Sequence, residues 1–294
     1  MIEQKIVFKI LNRLSLLKFL NLVYGKKYEE LIVKIPILHM VGYDYINHSS
    51  RELWLNNIIG NILQVKPGCF IDIGTNIGQT LIKLKSVDRE RQYYGFEPNH
   101  VCSTYMEQLI ALNNWKHCQV IPVGLSDRSN ILRLFSSSDT DEAASIVDNF
   151  REGSFYSSWT YVPVFEGDSI LQQLEIESIA IIKIDVEGAE AEVVRGLEGS
   201  ISQYRPYILC EILPVYDSTQ NVGRLRKEKQ DALEKIIEQC NYKMFRLMYD
   251  GRVISLDTIE DHSDISLCNY VFVPEEEIDR FNKKLNLDRQ LITS

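Results

Sequence analysis

Past residue 68 the chain alternates between short apolar runs and longer segments whose apolar residues recur every three or four positions. The runs at 69–73, 93–96, 119–123, 180–184 and 207–211 read as strands, and the segments at 79–85, 101–112, 189–197 and 224–239 as helices. Strands apolar on both faces and separated by helices predict a parallel sheet covered on both sides. Further runs at 242–248, 252–256 and 269–273 follow with connections too short for crossovers, the first pair joined by Tyr249-Asp250-Gly251. They predict an antiparallel edge. Between Leu134 and Tyr161 the pattern lapses into Ser136-Ser137-Ser138-Asp139-Thr140-Asp141-Glu142 and then Phe155, Tyr156, Trp159 and Tyr161. A polar excursion of that length inside a compact domain marks a functional or mobile loop, its aromatics either facing a sugar ring or anchoring the loop by packing.

Residues 2–24 read as one helix, with Lys5, Lys9 and Arg13 four apart beside Ile6, Ile10, Leu14 and Leu17. A basic amphipathic helix of this kind suits an anionic membrane surface, or packing on the main domain or a sister subunit in a homodimer. Residues 35–38 read as an extended link and 51–65 as a helix. The expected division is an N-terminal helical extension over 1–48, a main α/β domain over 49–274 and a C-terminal helical tail over 275–294.

Composition narrows the setting. With 294 residues, 45% of them hydrophobic, the chain can bury one substantial core. A formal charge of −9 and a pI near 5.2 leave a phosphate backbone without an electrostatic partner, so no nucleic-acid ligand is expected. The six cysteines are scattered without a Cys-x-x-Cys pair, as in a reducing compartment. Lys9, Arg13 and Lys18 interrupt the N-terminal apolar run, so no membrane span is expected. The expected location is the cytoplasm, including the inner face of the membrane if the N-terminal helix lies there.

The chemistry starts at Asp72-Ile73-Gly74-Thr75-Asn76-Ile77-Gly78, where an apolar run ends in an acid and a glycine turn. Glu97 closes the next run, placed to accept hydrogen bonds from ribose hydroxyls. A dinucleotide fingerprint needs a second glycine where Asn76 stands, and an acid at the strand end would repel a pyrophosphate. It suits a ligand carrying an ammonium and a sulfonium, as S-adenosylmethionine does.

Together with Ile182-Lys183-Ile184-Asp185-Val186-Glu187-Gly188-Ala189-Glu190 and Pro206-Tyr207-Ile208-Leu209-Cys210-Glu211, these motifs resemble the FkbM family of S-adenosylmethionine-dependent methyltransferases. The resemblance covers about residues 68–211 and implies a Rossmann-like class I fold with a mostly parallel seven-stranded sheet. It implies that Asp72, Gly74, Asn76 and Gly78 line the methionine end of the cofactor, that Glu97 holds its ribose, and that Ser126 and Asp127 lie beside its adenine. Thr75 stands where the family often has alanine.

Methyl transfer to a hydroxyl needs alignment and removal of a proton, and a carboxylate base supplies the second. Asp185, Glu187 and Glu211 fall at adjacent strand ends, with Asp185 or Glu187 the expected base. Asp185 and Glu211 also suit magnesium, though spacing offers no third ligand. The five histidines show no metal-ligand spacing. The expected acceptor is a glycan or secondary metabolite bearing a hydroxyl, and S-adenosylhomocysteine the expected by-product. The alternatives are an NAD-dependent sugar dehydrogenase or epimerase, for which this sequence lacks the second glycine and a Tyr-x-x-x-Lys pair in the expected place, and a partner-binding module without catalysis.

Overall fold

The computed structural model describes residues 2–47 and 53–285. The chain begins with α1 (Ile2–Arg13), a 3-10 turn (Leu16–Phe19), a hairpin of β1 (Asn21–Tyr28) and β2 (Leu31–Leu38), then α2 (Asp44–Asn47) and α3 (Leu53–Leu63). The alternating part follows with β3 (Cys69–Ile73), α4 (Gln79–Val87), β4 (Tyr93–Phe96), α5 (His100–Asn113) and β5 (Cys118–Ile121). Next come β6 (Gly124–Ser126), β7 (Asn130–Ser136), β8 (Ser158–Glu166) and α6 (Gly167–Leu171). The chain continues through β9 (Ile179–Ile184), α7 (Glu190–Gly196), α8 (Glu198–Tyr204), β10 (Tyr207–Glu211) and α9 (Asn221–Gln239). It closes with β11 (Tyr242–Leu247), β12 (Val253–Leu256), β13 (Asn269–Pro274) and α10 (Ile278–Leu285).

The main sheet has eight strands in the order β12-β11-β13-β10-β9-β3-β4-β5. From β10 to β5 neighbouring strands are parallel, while β13 runs antiparallel between β10 and β11. This is one strand more than the seven implied by family resemblance. The addition is β12, folded back on β11 by a turn in which Asp250 accepts the Arg252 N–H and Gly251 takes a φ of 87°.

Strand residues alternate between two cores, as a pleated strand covered on both faces must. Phe70, Ile181, Tyr207 and Leu209 join α3, α4, α5 and the N-terminal hairpin, whereas Ile71, Ile73, Ile182, Ile184 and Ile208 pack with α7 and α9. Phe281 of α10 closes the first core against Tyr207 and Phe245.

Three sequence expectations change. The helix expected over 2–24 stops at Arg13, because Ser15 turns left-handed at φ 55°, and the following apolar residues pair as β1 with β2 from Asn21↔Leu38 to Tyr28↔Leu31. The link at 35–38 is thus half of a strand. The extension is not a separate helical unit either: Phe8, Leu17, Tyr24, Val33, Ile35 and Ile37 belong to the first core of the main sheet. The boundary expected at 48/49 and the tail beyond 285 lie outside the described residues. Finally, the excursion after Leu134 is shorter than its composition suggests. β7 and β8 pair antiparallel from Asn130↔Val164 to Ser136↔Ser158, with β6 parallel on the far side of β8, leaving residues 137–157 as the loop.

Candidate functional site

A cavity of about 490 Å³ opens at the C-terminal ends of β3, β4, β9 and β10, where open parallel sheets hold their ligands. Its wall includes Gly74, Asn76, Glu97, Lys183, Asp185, Glu187 and Glu211. The N-terminal part contributes Tyr28, Asp44 and Tyr45, and the 137–157 loop contributes Asp141, Glu142, Ala143, Ala144 and Ile146.

The turn after β3 is built by close approach of backbone. Gly74 has φ 83°, and a Cβ there would lie 1.8 Å from the Asp185 carbonyl oxygen, so only glycine lets the ends of β3 and β9 meet. Asn76 takes the left-handed region at φ 45°, and its Oδ1 accepts the Ile77 N–H at 2.8 Å. Gly78, at φ 94°, is turned away from the cavity: a Cβ there would lie 2.3 Å from Met106 Sδ of α5. It serves the packing of α4 on α5 and is not part of the wall.

Glu97 is 7% exposed, with both oxygens held by backbone. Oε2 accepts the Asn76 N–H at 2.8 Å and Oε1 accepts the Asn99 N–H at 2.9 Å. Burial pushes its pKa up to about 7 against the pull of those two amides. A carboxylate offers about four lone-pair sites, so two amides leave acceptor capacity for a pair of ribose hydroxyls. The acceptor capacity left on Glu97 therefore fits the ribose of S-adenosylmethionine, with Gly74 and Asn76 beside it on the cavity wall.

Three other residues expected around the cofactor stand behind the wall. Asp72 is fully buried on the face shared with Phe70, accepts the Tyr93 hydroxyl at 2.7 Å and is the register partner of Lys183. Burial raises its pKa to about 6, against the pull of Lys183. Ser126 is buried, and Asp127 pairs with Arg195 at 3.4 Å. On that side the cavity is bounded by Pro98, Gly124 and Leu125.

The opposite wall is acidic and held by side chains. Lys183 Nζ donates to Asp185 Oδ2 at 2.7 Å. Burial disfavours the ammonium, but Asp185 and Asp72 outweigh it and keep the amine well above its ordinary pKa. Glu187, at φ 54°, pairs with Arg151 of the loop at 2.5 Å. Burial raises Glu187 to about 7 despite the guanidinium. Glu211, ending β10, completes this side. Glu190 does not line the cavity; its carboxylate accepts the Gly188 N–H at 2.8 Å just before α7, as an acid at a helix start does.

No local pattern in the sequence singles out Arg151, Gln79 or Asn99. These residues lace the loop across the cavity. Asn76 Nδ2 donates to the Asp141 carbonyl at 3.3 Å, Gln79 to Glu142 at 2.9 Å and Asn99 to the Asp139 carbonyl at 2.8 Å. The polar run 136–142 was the available signal, but nothing in its spacing named the partners. Phe155, Tyr156, Trp159 and Tyr161 do not line the cavity. Tyr156 packs against Phe135 and Phe155, and Trp159 against Tyr161, which favours anchoring over sugar stacking.

Among the described residues no three of His, Cys, Asp and Glu are grouped as a metal site, so Asp185 and Glu211 lack the third ligand that magnesium would need from such side chains. His39, His100, His117 and His262 lie off the cavity wall, and His48 falls outside the described residues.

Comparison with known proteins gives this cavity a family. No curated protein sequence matches the chain. Among solved structures, methyltransferase FkbM from Methylobacillus flagellatus KT is 15% identical with a TM-score of 0.43, over 70% of this chain and 43% of that one. The chain thus spans less than half the length of that relative. A Staphylococcus aureus protein assigned as a caffeoyl-CoA O-methyltransferase is 12% identical with a TM-score of 0.44, over 78% and 86% of the two chains. A Streptococcus mutans protein assigned as a methyltransferase and solved with SAH is 10% identical with a TM-score of 0.40, over 76% and 97%. The stronger link is the methyltransferase FkbM domain, whose model matches residues 72–244, from the first acid of the turn into β11. The chain belongs to the FkbM family of S-adenosylmethionine-dependent methyltransferases.

Proposed function

We propose that this protein methylates a hydroxyl oxygen of a glycan or secondary-metabolite acceptor, with Asp185 as the general base. The observation that carries this reading is the contact between Gly74 and the Asp185 backbone. It sets Asp185 beside the turn that would hold the methionine end of the cofactor. Glu97, Gly74 and Asn76 would hold that cofactor, with Asp72 buried beneath the turn and Ser126 and Asp127 backing the adenine side.

Bound S-adenosylmethionine supplies a methyl group on a sulfonium that departs as a neutral thioether. The residues of this chain align the acceptor and take its proton. A hydroxyl is a poor nucleophile at neutral pH, and proton removal by a positioned carboxylate is worth ~10²–10⁴-fold. In this reading the hydroxyl proton passes to Asp185, which Lys183 orients through the 2.7 Å hydrogen bond. Glu187 is committed to Arg151, so its part is to hold the loop that shields the site from water. Glu211 would accept a second hydroxyl of the acceptor.

The test is incubation with isotopically labelled methyl donor and a panel of glycan extracts and polyhydroxylated metabolites, followed by mass spectrometry of hydrolysed products. The label is expected on a sugar or alcohol oxygen. Label on nitrogen or carbon would overturn the assignment.

A further inference from the structure

We infer that the outward face of α1 and the turn after it form a docking surface for an anionic lipid membrane. α1 is apolar on two sides. Phe8 faces inward, buried and edge-on to Tyr24 at 5.6 Å, so the helix is already seated through that side. Ile6, Ile10 and Leu14, spaced four apart on the other side, are 53%, 52% and 61% exposed. Leu16 and Phe19 in the following turn are also exposed, Phe19 at 77%. Large apolar side chains grouped so tightly are unusual on a surface that meets only water.

The charges around this stripe select its occupant. Between residues 2 and 28 the sequence carries six basic residues, Lys5, Lys9, Arg13, Lys18, Lys26 and Lys27, and a single acid, Glu3, within a protein of net charge −9. Lys9 and Arg13 are exposed and follow the apolar stripe along the helix. Among the described residues neither these two nor Lys18 is in an ion pair. The basic character persists inward, where Lys26 Nζ donates to the Tyr45 carbonyl and its pKa is lowered to about 8 by burial and by Lys5.

A second copy of this chain would bring two basic stripes together, and an uncharged apolar partner would gain nothing from them. An anionic lipid surface takes both parts: the apolar stripe enters the acyl boundary and the lysines and arginine stay at headgroup level. The acidic remainder of the protein is repelled by the same surface, which fixes the docked orientation. No helix among the described residues is long and apolar enough to cross a membrane, so the helix lies on the surface.

Sedimentation of the full chain with phosphatidylcholine vesicles, with and without phosphatidylglycerol, tests this. Binding is expected only to the anionic vesicles, falling as salt is raised. Lys9→Glu and Arg13→Glu should each weaken partitioning by at least roughly fivefold, the equivalent of about 1 kcal/mol per basic charge lost. Ile10→Ser should weaken binding to anionic vesicles at every salt concentration. All three side chains point to solvent, so circular dichroism and S-adenosylhomocysteine binding should match the parent protein. Sedimentation independent of lipid charge, none at all, or a dimer in light scattering that Ile10→Ser dissociates would overturn the proposal.

Discussion

The two walls of the cavity hold their carboxylates by different means. Glu97 is fixed by the amides of Asn76 and Asn99, whereas Asp185 and Glu187 are fixed by Lys183 and Arg151. The two amides belong to the turns that lead from β3 into α4 and from β4 into α5, so the Glu97 wall is preformed. A side-chain cation can swing away, and Arg151 rides on a loop. The Glu187 wall therefore depends on two side-chain ion pairs, one of them reaching across from the loop, and the Glu97 wall on backbone.

The sharpest way to separate the walls is to remove a charge from the acidic one without removing a shape. Asp185→Asn should cut turnover by ~10²–10⁴-fold. Its S-adenosylhomocysteine affinity, measured by calorimetry, should stay unchanged. Lost affinity with intact single-turnover rate would put Asp185 on the cofactor side instead.

Arg151→Met probes the loop. Glu187 would lose its cation while remaining buried, which should cost ~1–3 kcal/mol. The loss should appear as faster proteolysis within residues 137–157. Adding Glu187→Gln should restore most of the protection, because no carboxylate is then left unpaired. Failure of that rescue would mean that Arg151 holds the loop through its contact with Phe155, 4.7 Å from the ring centre.

Acidity tests the preformed wall. Glu97 must be a carboxylate to accept two hydroxyls, and its pKa is about 7, so S-adenosylhomocysteine affinity should weaken as pH falls below 7. The slope should approach about tenfold per pH unit, and Glu97→Gln should flatten it. Stability should move the other way. Glu97, Glu187 and Glu190 are raised from 4.5 to about 7, so the folded protein binds more protons than the unfolded chain between those values. Their contribution to stability falls as pH rises through that window and is greatest below it. Thermal melts between pH 5 and 8 would show it, as a rising midpoint on acidification.

The Glu97 wall was also the legible one. Its turn needs glycine at 74 for a backbone contact and an acid at a strand end, and both requirements write themselves into a short stretch of sequence. The presence of β3, β4, β9 and β10 was equally plain, because strands buried on both faces leave runs that are almost wholly apolar. The other wall depends on contacts across long separations, such as Arg151 with Glu187, which no local pattern encodes. β7 and β8 were missed because most of β8 is exposed, with only Val162 and Val164 buried, so its alternation carries a weak signal. The hairpin of β1 and β2 was hidden for a different reason. Its apolar residues continue the spacing of α1, and the break rests on one left-handed residue, Ser15. Ser126 and Asp127 come from the resemblance alone, and they follow directly on Gly124 and Leu125, which line the cavity.

The central claim is that a backbone-anchored Glu97 grips the sugar of an S-adenosyl ligand, and calorimetric titration of S-adenosylhomocysteine into the parent protein and Glu97→Ala tests it most directly. The account predicts saturable binding to the parent and a loss of ~1.5–3 kcal/mol, about 10- to 150-fold, in the variant. Equal affinity in the two proteins, or no binding to the parent, would contradict it.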